Sequence, residues 1–171
     1  MRKSALFSDL GTKALTEKKK EGLVTAIYIG SIFILLALIY LVNVSKGLFG
    51  NLESLFSSFT FTTVPGTSIT LPAPSNPAAF TLVYNAAFEF AFGLGMIELI
   101  ILSLRIAVHS PLSRKAETIE NLVFWLGTSF LVISYLVNMT IISEWFVFWS
   151  GIILIAGLAL VTRGFVLFVR R

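Results

Sequence analysis

Four long apolar runs constrain this chain more than any other feature of its sequence. They fall at about 23–44, 79–105, 119–142 and 145–169. A helix that crosses the hydrocarbon core of a bilayer needs roughly 20 apolar residues, so each run is long enough to span. Lipid offers the backbone no hydrogen bonds, and of the two structures that can cross it, helices and closed barrels, runs of this length suit helices. The fold expected is an all-α integral membrane protein. It is a four-transmembrane-helix bundle with an outer interfacial amphipathic helix and a Pro-rich loop, in one membrane domain over 1–171. Composition agrees: only 13% of the 171 residues are charged, against about 25% in soluble domains. A soluble enzyme, a disordered tail and a nucleic-acid binder are thereby excluded.

The connections carry their own patterns. In the longest, 45–78, Leu48, Phe49, Leu52, Leu55, Phe56 and Phe59 recur on one helical stripe, while Asn51, Glu53, Ser54 and Ser58 fall elsewhere. That spacing predicts a short amphipathic helix lying at the interface or packed as a lid. Pro65-Gly66 then predicts a turn, with a small hairpin around it, and Pro72, Pro74 and Pro77 favour extended chain. Ser110-Pro111 reads as an N-cap followed by Pro at the first helical position. Near the start, Leu6, Phe7 and Leu10 suit a surface-lying amphipathic turn. The run at 23–44 is longer than the apolar core of a secretory signal and lacks a small-residue cleavage site after it.

Orientation follows from the basic residues. Of 13 Lys and Arg, six precede the first span, among them Lys18, Lys19 and Lys20. Three more (Arg105, Arg114, Lys115) lie at or after the end of span two, and three (Arg163, Arg170, Arg171) at the end of span four. Only Lys46 remains for the other side. Positive residues stay on the cytoplasmic side, so both termini are expected there, with the 45–78 loop outside. The net charge of +4 then reflects topology and contact with anionic lipid. The expected partners are the lipid bilayer and other membrane subunits, or a homo-oligomer of the chain itself; nucleic acid is not among them.

A faint repeat links Tyr40-Leu41-Val42-Asn43 to Tyr135-Leu136-Val137-Asn138. A tandem duplication of a helical hairpin would place these at equivalent positions; coincidence between two Leu/Val-rich helices is the plainer reading.

Ionisable residues inside spans are costly and attract functional hypotheses. Span two holds Glu89 and Glu98, nine residues apart. At about 100° per residue they face opposite sides of the helix, which argues against a paired dyad. Glu89 is read as near mid-membrane, with Asn85, Ser129 and Ser134 as candidate neighbours in an intramembrane polar site. Ser31 and Thr128 are further possibilities. The structural reading is a carboxyl hydrogen-bonded to Ser or Asn; the functional one is a proton or cation relay. Glu98 is expected to pair with Arg163 on span four, or with Arg105 one heptad along its own face, as an internal staple. Tyr40, Asn43, Tyr84, Tyr135 and Asn138 cluster toward the outer boundary and form a candidate outer pocket; aromatic anchoring with interhelical hydrogen bonds is the simpler account. Ala87, Ala91 and Gly95 make a small-residue stripe suited to close helix approach.

Other chemistries find no support. The chain has no Cys and one His, His109, so thiolate metal sites, disulfides and bis-His haem are excluded. Neither a phosphate-binding glycine loop nor a nucleophile elbow is present. No cofactor, metal site or catalytic residue is expected. The leading expectation is a non-enzymatic accessory or structural subunit of a larger membrane complex. Its rival is a homo-oligomeric channel or proton-coupled carrier using Glu89, and the third reading is a lipid- or quinone-handling enzyme.

Overall fold

The computed structural model describes residues 2–169, with side chains from Lys19 onward. The side chains of Leu6, Phe7 and Leu10, on which the expected surface turn rests, and those of Lys18, Arg170 and Arg171 lie outside the described ones. The chain is mostly helical. Its elements are α1 (Arg2–Asn43), α2 (Leu48–Ser57), β1 (Phe59–Thr63), β2 (Thr70–Pro74), α3 (Thr81–Ala107), α4 (Leu112–Leu131) and α5 (Ser143–Val169). Four helical segments are long and apolar enough to cross a membrane: Lys19–Lys46, Pro77–Ala107, Leu112–Val137 and Ser143–Val169.

These helices form a row. α1 packs mainly on α3, α3 on α4, and α4 on α5. Neighbours run antiparallel, since Tyr28 lies beside Glu98 whereas Asn43 bonds Glu89. Two glycines on α3 set its spacing to both neighbours. A Cβ at Gly93 would overlap Leu35 of α1, and one at Gly95 would overlap Leu126 of α4. The bare backbone thus receives a leucine from each side. Of the expected small-residue stripe, Ala91 and Gly95 are buried and Ala87 is exposed. The ends of the row, α1 and α5, remain largely uncovered, with only 6% of the residues in their most apolar stretches buried.

α1 passes through a short 3-10 turn and stops at Gly47, whose φ of 79° suits a residue without a Cβ. β1 and β2 pair antiparallel, Phe59 opposite Pro74 and Thr63 opposite Thr70, around the Pro65-Gly66 turn. This hairpin leans on the start of α5, where Trp145 Nε1 donates to the Pro72 carbonyl at 3.3 Å and Phe59 meets the indole edge-on. Leu55, Phe80, Tyr84, Leu136 and Phe146 join the apolar core beneath it.

The third apolar segment departs from its expected limits of 119–142 at both ends. It starts at Leu112, directly after Pro111, and Pro111 itself is the N-cap. Ser110 makes no capping bond; its buried hydroxyl has no partner. Ser110 instead completes the end of α3. Its amide donates to the Arg105 carbonyl at 2.9 Å, and the His109 amide donates to that of Ile106 at 3.1 Å. This is a Schellman closure, with His109 at φ 59° in the position usually held by Gly. At the other end, α4 widens into a π-helical segment, Val132–Val137. Asn138 closes it by donating to the Ile133 carbonyl at 2.9 Å. The Glu144 carboxyl then accepts from the amides of Thr140 and Ile141 at 2.6 and 3.3 Å. The turn therefore occupies 138–142 and starts α5 two residues early.

Candidate functional site

The two carboxyls of α3 sit about equally far from its middle, roughly four to five residues or ~7 Å on either side, yet their surroundings differ. Glu98 is 2% exposed, at the junction of three helices. From α4, Asn121 Nδ2 donates to Glu98 Oε1 at 3.0 Å. From α1, Tyr28 brings its hydroxyl up to the same carboxyl. Beside them is a cavity of about 180 Å³, lined also by Thr25, Arg105, Arg114 and Glu117. Arg105 bonds to the Arg114 carbonyl and to the Thr118 hydroxyl. Its Nε–H is buried without a partner. Arg114 and Glu117 pair at 3.1 Å, one turn apart near the start of α4.

The expected Glu98–Arg163 staple is corrected by this arrangement. Arg163 binds Glu120 instead, at 3.0 Å. α5 packs on the far side of α4, and Glu120 on α4 takes Arg163 before it reaches α3. Arg105, the second candidate, shares the cavity with Glu98, but the two are not in ion-pair contact.

Glu89 is half-buried, and its side-chain partner among the described residues is Asn43, which donates from Nδ2 at 2.9 Å. The same amide nitrogen also bonds the Ile39 carbonyl at 3.0 Å, and Lys46 Nζ approaches Asn43 Oδ1 at 3.5 Å. The expected polar site with Asn85, Ser129 and Ser134 is therefore not assembled. Ser129 turns back to the Leu126 carbonyl of its own helix at 2.8 Å. The helical-wheel separation of Glu89 and Glu98 also fails to divide them between neighbours: each side chain is long enough to reach α1.

The five residues of the expected outer pocket disperse. Asn43 is buried against Glu89, while Tyr40 is exposed and packs on Phe49 of α2 at 5.9 Å. Tyr84 is buried in the core, its hydroxyl unpartnered. Tyr135 borders that core, and Asn138 closes the π-helical segment. Asn43 and Asn138 thus occupy unlike positions, which removes the equivalence that a duplication requires. The larger cleft at this end, about 420 Å³, is apolar. It lies between the hairpin and α5, among Phe59, Leu71, Trp145, Trp149 and Ile153.

Sequence reasoning missed Tyr28 and the polar face of α4. Arg114, Thr118 and Asn121 stand at i, i+4 and i+7, a stripe that runs across the expected start of span three at 119 and is continuous only once the helix begins at Leu112. Fold and site together define a chain with four helices long and apolar enough to span a membrane, and a polar three-helix junction toward one end. No protein-family model, curated protein or solved structure matches it.

Proposed function

We propose that this chain is a small multi-pass membrane protein that serves as a non-enzymatic accessory or structural subunit of a larger membrane complex. Both termini are cytoplasmic in this reading, because the basic residues gather at the Glu98 end. The hairpin and α2, an interfacial helix, then lie outside.

The observation that carries the proposal is the open row. Its terminal helices α1 and α5 present long apolar faces that the chain does not cover. On α1, Gly22, Ala26 and Gly30 stand at i, i+4 and i+8, with open space over both glycines. Such a face permits close approach of another helix. The polar groups also favour a supporting role over conduction. Those around the two α3 carboxyls form separate clusters, with the Gly93–Leu35 and Gly95–Leu126 contacts between them, rather than one path.

Gentle solubilisation followed by native mass measurement tests this directly. The expected result is a second, different chain bound at fixed stoichiometry. A symmetric homo-oligomer would overturn it in favour of the channel or carrier using Glu89, and a bare monomer would overturn both.

A further inference from the structure

The cavity at Glu98 holds a carboxyl and a guanidinium apart. Glu98 is anchored by Asn121, and Arg105 by Thr118 and the Arg114 carbonyl. Neither is in ion-pair contact with the other, although both line the same space. A buried polar group without a partner is unfavourable, and the buried Arg105 Nε–H has none. We propose that this cavity binds a small zwitterion, a primary ammonium joined by a short linker to a phosphate, supplied free or as a lipid headgroup.

The lining fits both ends of such a molecule. It holds two acids, Glu98 and Glu117, and two arginines, Arg105 and Arg114. A lone anion would meet the carboxylates, and a lone cation the guanidiniums; a zwitterion satisfies both. Arg105 lies seven residues beyond Glu98 toward the end of α3, about 10 Å along the helix. The phosphate therefore belongs at the mouth and the ammonium inside. There the ammonium can donate to Glu98 and to the hydroxyl oxygens of Tyr28 and Thr25. Phosphate is favoured over carboxylate because the mouth is basic. Arg105 and Arg114 face it, Lys19, Lys20 and Lys115 stand at the same end of the row, and these five cations outnumber the acids there, Glu21, Glu117 and Glu120. Basic pockets between helices at a headgroup level suit phosphate.

The test uses the purified full chain in phosphatidylcholine nanodiscs, with thermal unfolding followed by tryptophan fluorescence. Soluble phosphoethanolamine is expected to raise the midpoint saturably. Phosphocholine, whose quaternary nitrogen cannot donate, is expected to leave it unchanged. If the natural source is lipid, phosphatidylethanolamine nanodiscs raise the midpoint instead, and soluble phosphoethanolamine adds nothing further. Glu98→Gln and Arg105→Gln should each weaken the effect about 10- to 100-fold, the equivalent of one charge-assisted hydrogen bond. Arg163→Gln, outside the cavity, should retain it. The proposal is overturned if neither ethanolamine source stabilises the wild-type chain, if phosphocholine serves equally, or if the effect is unchanged in Glu98→Gln or Arg105→Gln. The wild-type choice between the two soluble probes decides even where a variant fails to fold.

Discussion

Glu89 and Glu98 are the same residue on the same helix, at matching distances from its middle, and the molecule uses them differently. Glu89 reaches the last residue of α1 and is held by one amide, half-buried, where α1 gives way to a 3-10 turn. Glu98 reaches α1 about four turns earlier, at Tyr28, and is enclosed by α1, α3 and α4 together. The first is a clamp; the second is a clamp beside a cavity with one unsatisfied guanidinium N–H. What surrounds a buried carboxyl depends on where the neighbouring helices start and stop, and its own helix shows little of this.

Breaking the buried side of the comparison should have the largest effect. Glu98→Leu removes the acceptor for Asn121 and leaves Arg105 facing an apolar wall. The expected loss is about 1–3 kcal/mol for each buried donor left unsatisfied, Asn121 and Tyr28, read as unfolding free energy in bicelles. Next is Gly95→Leu, between the two carboxyls. It forces a side chain into Leu126 and should cost about 1–3 kcal/mol, separating α3 from α4 at the Glu98 site while the Glu89 contact, on the α1 side, is left in place. Asn43→Ala removes the Glu89 clamp together with the local contacts of Asn43 to the Ile39 carbonyl and Lys46. Interhelical hydrogen bonds in membranes average about 0.6 kcal/mol, and a loss near that value is expected. Smallest is His109→Gly. Glycine adopts the left-handed backbone at this closure without a Cβ penalty, so a gain of about 0.5–1 kcal/mol is expected in the same assay.

The sequence conveyed the architecture because apolar run length is a one-dimensional signal. The four runs, the Pro65-Gly66 hairpin and the α2 stripe all follow from local spacing. The site was less legible. Glu98 and Arg105 share a helical face and stand out as charges in an apolar run. Their partners depend on the start of α4 at Leu112, fixed by Pro111 and the Schellman closure of α3. Once α4 begins there, Asn121 comes level with Glu98, and Glu120 is placed to take Arg163. The outer pocket failed for a similar reason. Tyr and Asn residues at one depth need not face one another, and Asn138 was diverted to a carbonyl by the π-helical segment. Depth alone offers Glu89 Asn85 on its own helix and hydroxyls on spans one and three, whereas its partner Asn43 falls among the residues of the expected outer pocket.

Two double-mutant cycles compare the carboxyls most directly: Glu98→Ala with Asn121→Ala, and Glu89→Ala with Asn43→Ala. The account predicts the larger coupling at Glu98–Asn121, about 1.5–3 kcal/mol for an enclosed hydrogen bond to a charged group, and about 0.6 kcal/mol at Glu89–Asn43. Equal couplings, or a larger one at Glu89, would contradict it.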